Sequence, residues 1–140
     1  MGNFVMPVRV YYEDTDAGGV VYYANYLHYL ERARTEWLRT LGVSQAQLCA
    51  ESGLAFAVRA LEVDYLKPAR LDDELQVVST IASHGRAQVL FDQRILREEQ
   101  VLLSARVRVA CLDLHRGRAV AMPQDLYEHF SLICESRNEH

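Results

Sequence analysis

Between residues 12 and 26 the chain reads Tyr12-Glu13-Asp14-Thr15-Asp16-Ala17-Gly18-Gly19-Val20-Val21-Tyr22-Tyr23-Ala24-Asn25-Tyr26. Three carboxylates and a double glycine lead directly into the apolar start of a helix. Glycine admits backbone angles that other residues avoid and lets a ligand approach the main chain closely. The first turn of a helix presents unpaired N–H groups and a partial positive charge. A carboxylate can add to a carbonyl carbon or take a proton from water, and helix-start amides can hold the oxyanion that results. The combination outlines a site for acyl transfer or hydrolysis.

Other chemistries fit less well. Asp14, Asp16 and Gly19 fall at positions one, three and six of a calcium loop, but Gly18 stands at position five. Asn25 stands at position twelve, where a bidentate Glu is needed. His28, His84, His115, His129 and His140 form no HxxxH pair and have no cysteine at ligand spacing, so no metal is expected. His28 lies early in the long helix, near the acidic turn along the chain, where a structural role outweighs a catalytic one. There is no G-x-S-x-G setting for a serine nucleophile and no phosphate-cradling glycine loop. Tyr11, Tyr12, Tyr22, Tyr23, Tyr26 and Tyr29 crowd the same turn, as core or interface rings or as walls of an apolar channel.

The elements that must position this stretch follow from periodicity. Val8, Val10 and Tyr12 alternate with polar residues as a first strand with one buried face. From about Asn25 to Leu41, Tyr26, Leu27, Leu30, Ala33, Trp37, Leu38 and Leu41 recur at helical spacing. Glu31–Arg34 and Glu36–Arg39 are expected to pair on the opposite face. Gly42 ends this helix, which spans roughly 25 Å. Ser44 with Gln47 predicts a capped short helix to about Ser52. Period-two segments follow: Phe56 to Pro68 with Leu61, Val63 and Tyr65 on one face, Leu75 to about Ser83, Val89 to Ile95, and Val101 to Cys111. Gln124 to Ile133 predicts a last helix, and the final residues a frayed end. The fold expected is α+β, an antiparallel meander with the long helix covering one face.

The 140 residues suit one domain, 1–140, large enough for a real core. With 50% hydrophobic and 24% charged residues the balance is that of a water-soluble protein. A formal net charge of -4 gives nucleic acid no clustered basic surface. Cys49, Cys111 and Cys134 are odd in number and far apart, as in a reducing compartment. Met1 to Tyr11 carries no apolar leader core, and no apolar run approaches the ~20 residues of a membrane helix. A cytoplasmic location is expected.

The opening stretch, with Glu31-Arg32-Ala33-Arg34-Thr35-Glu36 and Tyr65-Leu66-Lys67-Pro68-Ala69-Arg70-Leu71-Asp72-Asp73, resembles the hot-dog-fold acyl-CoA thioesterases. It is most similar to the Tol–Pal-associated branch of the 4-hydroxybenzoyl-CoA thioesterase family, over about Val8 to Phe130. The resemblance implies a five-stranded antiparallel sheet wrapped around one long central helix, in dimers joined edge to edge and commonly in tetramers (dimers of dimers). It implies acyl-CoA as substrate, with an acyl carrier protein as a further partner, and no cofactor. It places the catalytic carboxylate on Asp16 with Tyr12 nearby, and the carbonyl-polarising N–H at Tyr23. Gly19 would adjoin the substrate, and Val58 and Arg59 would reach it from the partner subunit. Many members of the branch carry histidine where Tyr23 stands, so the backbone N–H is the contribution implied here. Two other readings stand beside hydrolysis: a hot-dog hydratase or dehydratase, and a non-catalytic acyl-binding scaffold linked to envelope maintenance.

Overall fold

The structure, a computed structural model, describes residues 2–138. In chain order the elements are β1 (Asn3–Arg9), a 3-10 turn (Tyr12–Asp14), α1 (Asn25–Thr40), α2 (Gln45–Ser52) and β2 (Leu54–Tyr65). There follow β3 (Glu74–His84), β4 (Gln88–Arg97), β5 (Gln100–Asp113), β6 (Arg118–Ala119) and α3 (Gln124–Asn138). The fold class is the α+β expected, and the antiparallel sheet curls around α1. Helix α3 runs further than Ile133, and the frayed end expected for the last residues lies outside the described residues at 139–140.

Five long strands form the sheet in the order β1-β3-β4-β5-β2, and the two-residue β6 adds a sixth, short strand beside β5. Only β3, β4 and β5 form a meander; β2 lies on the far edge against β5, not beside β3 as a simple meander requires. Residues 66–73 make the crossing. Extended, they reach about 25 Å, against roughly 14 Å for three inter-strand spacings, so the chain has slack to pass over the helix start.

Alternation decided the buried faces of β4 and β5 as expected, whereas Leu61 and Tyr65 of β2 are exposed. Val89, Phe91, Gln93 and Ile95 of β4 and Leu103, Ala105, Val107, Val109 and Cys111 of β5 are all buried. They meet Tyr29, Leu30, Ala33, Trp37 and Leu38 of α1. Trp37 joins the layers, stacked on Phe4 at 6.0 Å and edge-on to Phe91 at 6.1 Å. Gly42, at φ +84, takes the left-handed conformation that ends α1. The Ser44 hydroxyl accepts from Gln47 N–H at 3.3 Å, while the Gln47 side chain turns away to Glu51, so the cap is one-sided.

Two expectations fail locally. β1 ends at Arg9, and Tyr12 sits in the 3-10 turn with 81% of its surface exposed, because that turn breaks the two-residue alternation that would have buried it. Glu36–Arg39 pair at 3.3 Å, but Arg34 bonds Gln93 rather than forming an ion pair with Glu31. Its guanidinium donates to Gln93 Oε1 at 3.0 Å, while Gln93 Nε2 donates to Leu30 O at 3.0 Å and to Ser79 Oγ at 2.9 Å. A buried amide must find partners for every polar atom, and this one draws Arg34 under the helix. Burial in turn pushes the Arg34 pKa down.

Candidate active site

The three acids of the turn part company. Glu13 faces solvent, and Asp14 points inward, with 9% of its surface exposed. Tyr11 N–H donates to Asp14 Oδ2 at 2.9 Å, and Asn25 Nδ2 donates to Oδ1 at 3.1 Å. Tyr22 N–H donates to the Asp14 carbonyl at 3.0 Å. Asp14 thus ties the end of the first strand's extension to the first residue of α1. The Tyr29 phenol lies beside it, with no hydrogen-bond partner among the described residues. Burial and the neighbouring carboxylate charge push that phenol well above its ordinary value.

Asp16 sits at the mouth of a small hairpin that bridges Thr15 to Val21. Its N–H donates to Val20 O at 2.9 Å, and its carbonyl accepts from Gly19 N–H at 3.0 Å. Gly18 N–H donates to Oδ1 at 2.9 Å, which leaves Oδ2 without a partner among the described residues. The double glycine has two separate reasons here. Gly19 is at φ +78, and a side chain on Gly18 would begin 3.3 Å from Asp16 Oδ1. The exposed carboxylate opens on a cleft of about 400 Å³ lined by Tyr12, Thr15, Ala17, Gly19 and Leu71.

The helix start lies next to this hairpin. Ala24 at the N-cap supplies no side-chain acceptor, and Tyr23 N–H donates to no group among the described residues. The Tyr23 side chain, 62% exposed, lines a second cleft of about 260 Å³ with Val21, Tyr26, Tyr65, Leu66, Lys67 and Pro68. Residues 66–73 brace both clefts. Val21 N–H donates to Ala69 O at 2.9 Å, Ala69 N–H to the Tyr26 hydroxyl at 2.9 Å, and the Tyr65 hydroxyl to Tyr23 O at 3.1 Å. Arg97 locks the far end of that segment on Asp73 at 2.7 Å. The Tyr26 phenol is pushed up mainly by burial, with the Asp73 and Asp16 charges smaller contributors.

Val58 and Arg59 lie elsewhere. Arg59 occupies a bulge in β2, where the register with β5 shifts between Val58 and Ala60. Val58 lines a third cavity, of about 470 Å³, with Leu27, His28, Glu31, Arg34, Leu61 and Val107, between α1 and the edge strand. His28 therefore belongs with Val58, not with the acidic turn. Within one chain Asp16, Tyr12 and Gly19 come together, Tyr23 is adjacent, and Val58 and Arg59 are apart. Asp14, Asn25 and Tyr29 belong to the stretch and tyrosine cluster noted in the sequence, but their mutual contact was not expected; nor was the Arg34–Gln93 pair, whose one signal is Gln93, a polar residue on an otherwise apolar strand face.

Residues 10–130 match the profile of the thioesterase-like superfamily. The acyl-CoA thioesterase YbgC of Haemophilus influenzae is 51% identical over 128 residues, covering 91% of this chain and 94% of that protein. Among solved structures, a probable thioesterase from Bartonella henselae superposes with a TM-score of 0.81 at 35% identity, covering 86% of this chain and 99% of that one. A 4-hydroxybenzoyl-CoA thioesterase mutant complexed with 4-hydroxybenzoyl-CoA shares the fold, with a TM-score of 0.84 at 22% identity over 91% of this chain and 98% of that one.

Proposed function

Starting from the chain's membership of the thioesterase-like superfamily, we propose that Asp16 supplies the reacting carboxylate and Tyr23 N–H the oxyanion contact of a thioester hydrolase. The chain is an acyl-CoA thioesterase. The observation that carries the residue assignment is the free Oδ2 of Asp16, held by one hydrogen bond on a glycine hairpin beside an uncapped helix start.

Two routes use that carboxylate. As nucleophile, Oδ2 adds to the thioester carbonyl carbon, the C–S bond breaks, and the thiolate leaves; water then hydrolyses the mixed anhydride. As general base, it takes a proton from water, whose oxygen adds to the same carbon. Either way negative charge grows on the carbonyl oxygen, and an aimed N–H stabilises it by about 3 kcal/mol. Tyr12 walls the cleft at the reacting end and Gly19 gives the acyl carbonyl close access to the backbone. No cofactor takes part.

A second copy completes the site. The edge strand β2 exposes Val58, Leu61 and Tyr65, and an unpaired edge with apolar side chains favours pairing with its own kind. Edge-to-edge pairing brings Val58 and Arg59 of the partner toward the Asp16 cleft, and two such dimers make the tetramer. The finer placement is part of the same proposal: a single hot-dog unit over 1–140, in the Tol–Pal-associated branch, cytoplasmic, with acyl carrier protein as an alternative acyl donor. Its support is the motif resemblance and, for location, three cysteines without disulfides. No described helix is long and apolar enough to cross a membrane.

Purified protein offered a panel of aliphatic and aromatic acyl-CoAs should release free thiol, followed colorimetrically. No release above background across the panel would leave an acyl-binding scaffold, and hydration of enoyl-CoA without thiol release would make it a hydratase. Light scattering at micromolar concentration should give four times the 16.0 kDa chain mass. A monomer that still turns over at full rate would remove the partner's Val58 and Arg59 from the site.

A further inference from the structure

On the side of the molecule where α3 packs against the end of β3, three side chains form a hydrogen-bonded chain. Cys134 Sγ lies 3.5 Å from His84 Nδ1, His84 Nε2 lies 3.0 Å from Ser131 Oγ, and Ser131 Oγ donates to Tyr127 O at 3.0 Å. In the tautomer that keeps the one Ser131 proton on the Tyr127 carbonyl, the Ser131 oxygen accepts from Nε2–H and Nδ1 faces the Cys134 sulfur. A sulfur nucleophile, a base in reach, and a third group orienting the base are the parts of an activated cysteine. The imidazole is further fixed between Tyr127 at 5.1 Å and Phe130 at 6.5 Å, and the Arg86 guanidinium lies over the Tyr127 ring at 4.7 Å.

The other two cysteines provide the contrast. Cys49 is exposed on α2, and Cys111 is wholly buried in β5, where burial pushes its thiol up. Cys134 is half-buried. None of the clefts described above is lined by His84, Ser131 or Cys134, and a reactant small enough to meet a half-buried sulfur directly suits it.

We propose that Cys134, with His84 as its base and Ser131 orienting that base, is a modification site for hydrogen peroxide and small organic hydroperoxides. The thiol proton passes to Nδ1 and the sulfur attacks one peroxide oxygen. The S–O bond forms as the O–O bond breaks, sulfur loses two electrons, and the peroxide is reduced. The departing hydroxide or alkoxide takes the proton back from His84, which leaves sulfenic acid and water or alcohol.

The test compares each thiol with itself. The intact protein and the urea-unfolded chain are treated with limiting hydrogen peroxide, sulfenic acid is trapped with dimedone, and each cysteine is followed by peptide mass spectrometry. The folded-to-unfolded rate ratio should be roughly five or more for Cys134, near one for Cys49, and far below one for Cys111. A half-buried thiol loses access on folding, so a ratio above one requires activation. His84→Gln should bring the Cys134 ratio to one or below, and Ser131→Ala should lower it part of the way. A parent ratio of one or less overturns the proposal, as does an unchanged ratio in His84→Gln. If His84→Gln does not fold by circular dichroism, an unchanged ratio in Ser131→Ala overturns it.

Discussion

Asp16→Asn should lower kcat roughly a thousandfold or more with little change in substrate binding. The amide has the size of the carboxylate, and its carbonyl can still accept from Gly18 N–H, so the hairpin stays closed. It has neither the charge to add to a thioester nor the basicity to activate water. The exposure of Asp16 makes the experiment clean, because no core contact is lost with the charge. Thiol release from acyl-CoA, with deamidation excluded by mass spectrometry, gives the answer. Near-normal turnover would place the chemistry elsewhere and remove the hairpin from the mechanism.

Asp14→Ala should act on stability, two residues away. It strips the acceptor from Tyr11 N–H and from Asn25 Nδ2, both part-buried, and leaves two donors without partners. Each such orphan costs about 1–3 kcal/mol, so a loss of about 3 kcal/mol is expected. For a chain of this size that lowers Tm by roughly 10 °C. Asp14→Asn retains one carbonyl acceptor and should lose less. Urea unfolding followed by circular dichroism measures both. A stability for Asp14→Ala within 0.5 kcal/mol of the parent, the range of an ordinary surface change, would mean that the carboxylate does not hold the turn to α1.

Much of the scaffold was legible because the signals are local. A face of α1 is written in the spacing of Tyr26, Leu30, Ala33 and Trp37, and Gly42 stops it for a reason internal to glycine. The buried faces of β4 and β5 follow from alternation alone. The clustering of Asp16, Tyr12 and Gly19 was legible too, since a short hairpin keeps sequence neighbours together.

Only the folded chain decided what depends on distant partners. Period two says which residues of β2 share a face, but not that β2 lies beside β5, because a backbone edge pairs with any other edge. Asp14 and Asp16 look alike in the sequence. The 3-10 turn aims the first at Tyr11 and Asn25, and the glycine hairpin aims the second at solvent. Arg34 sits at pairing distance from Glu31 along the helix, yet it bonds Gln93, whose buried carbonyl needs a donor that only the sheet–helix contact brings near. His84 and Cys134 are fifty positions apart, and no local rule joins them. They meet because the last helix has to cover the end of β3. Short-range sterics fix elements and turns one residue at a time, whereas burial makes each polar atom find a partner wherever the chain has carried one.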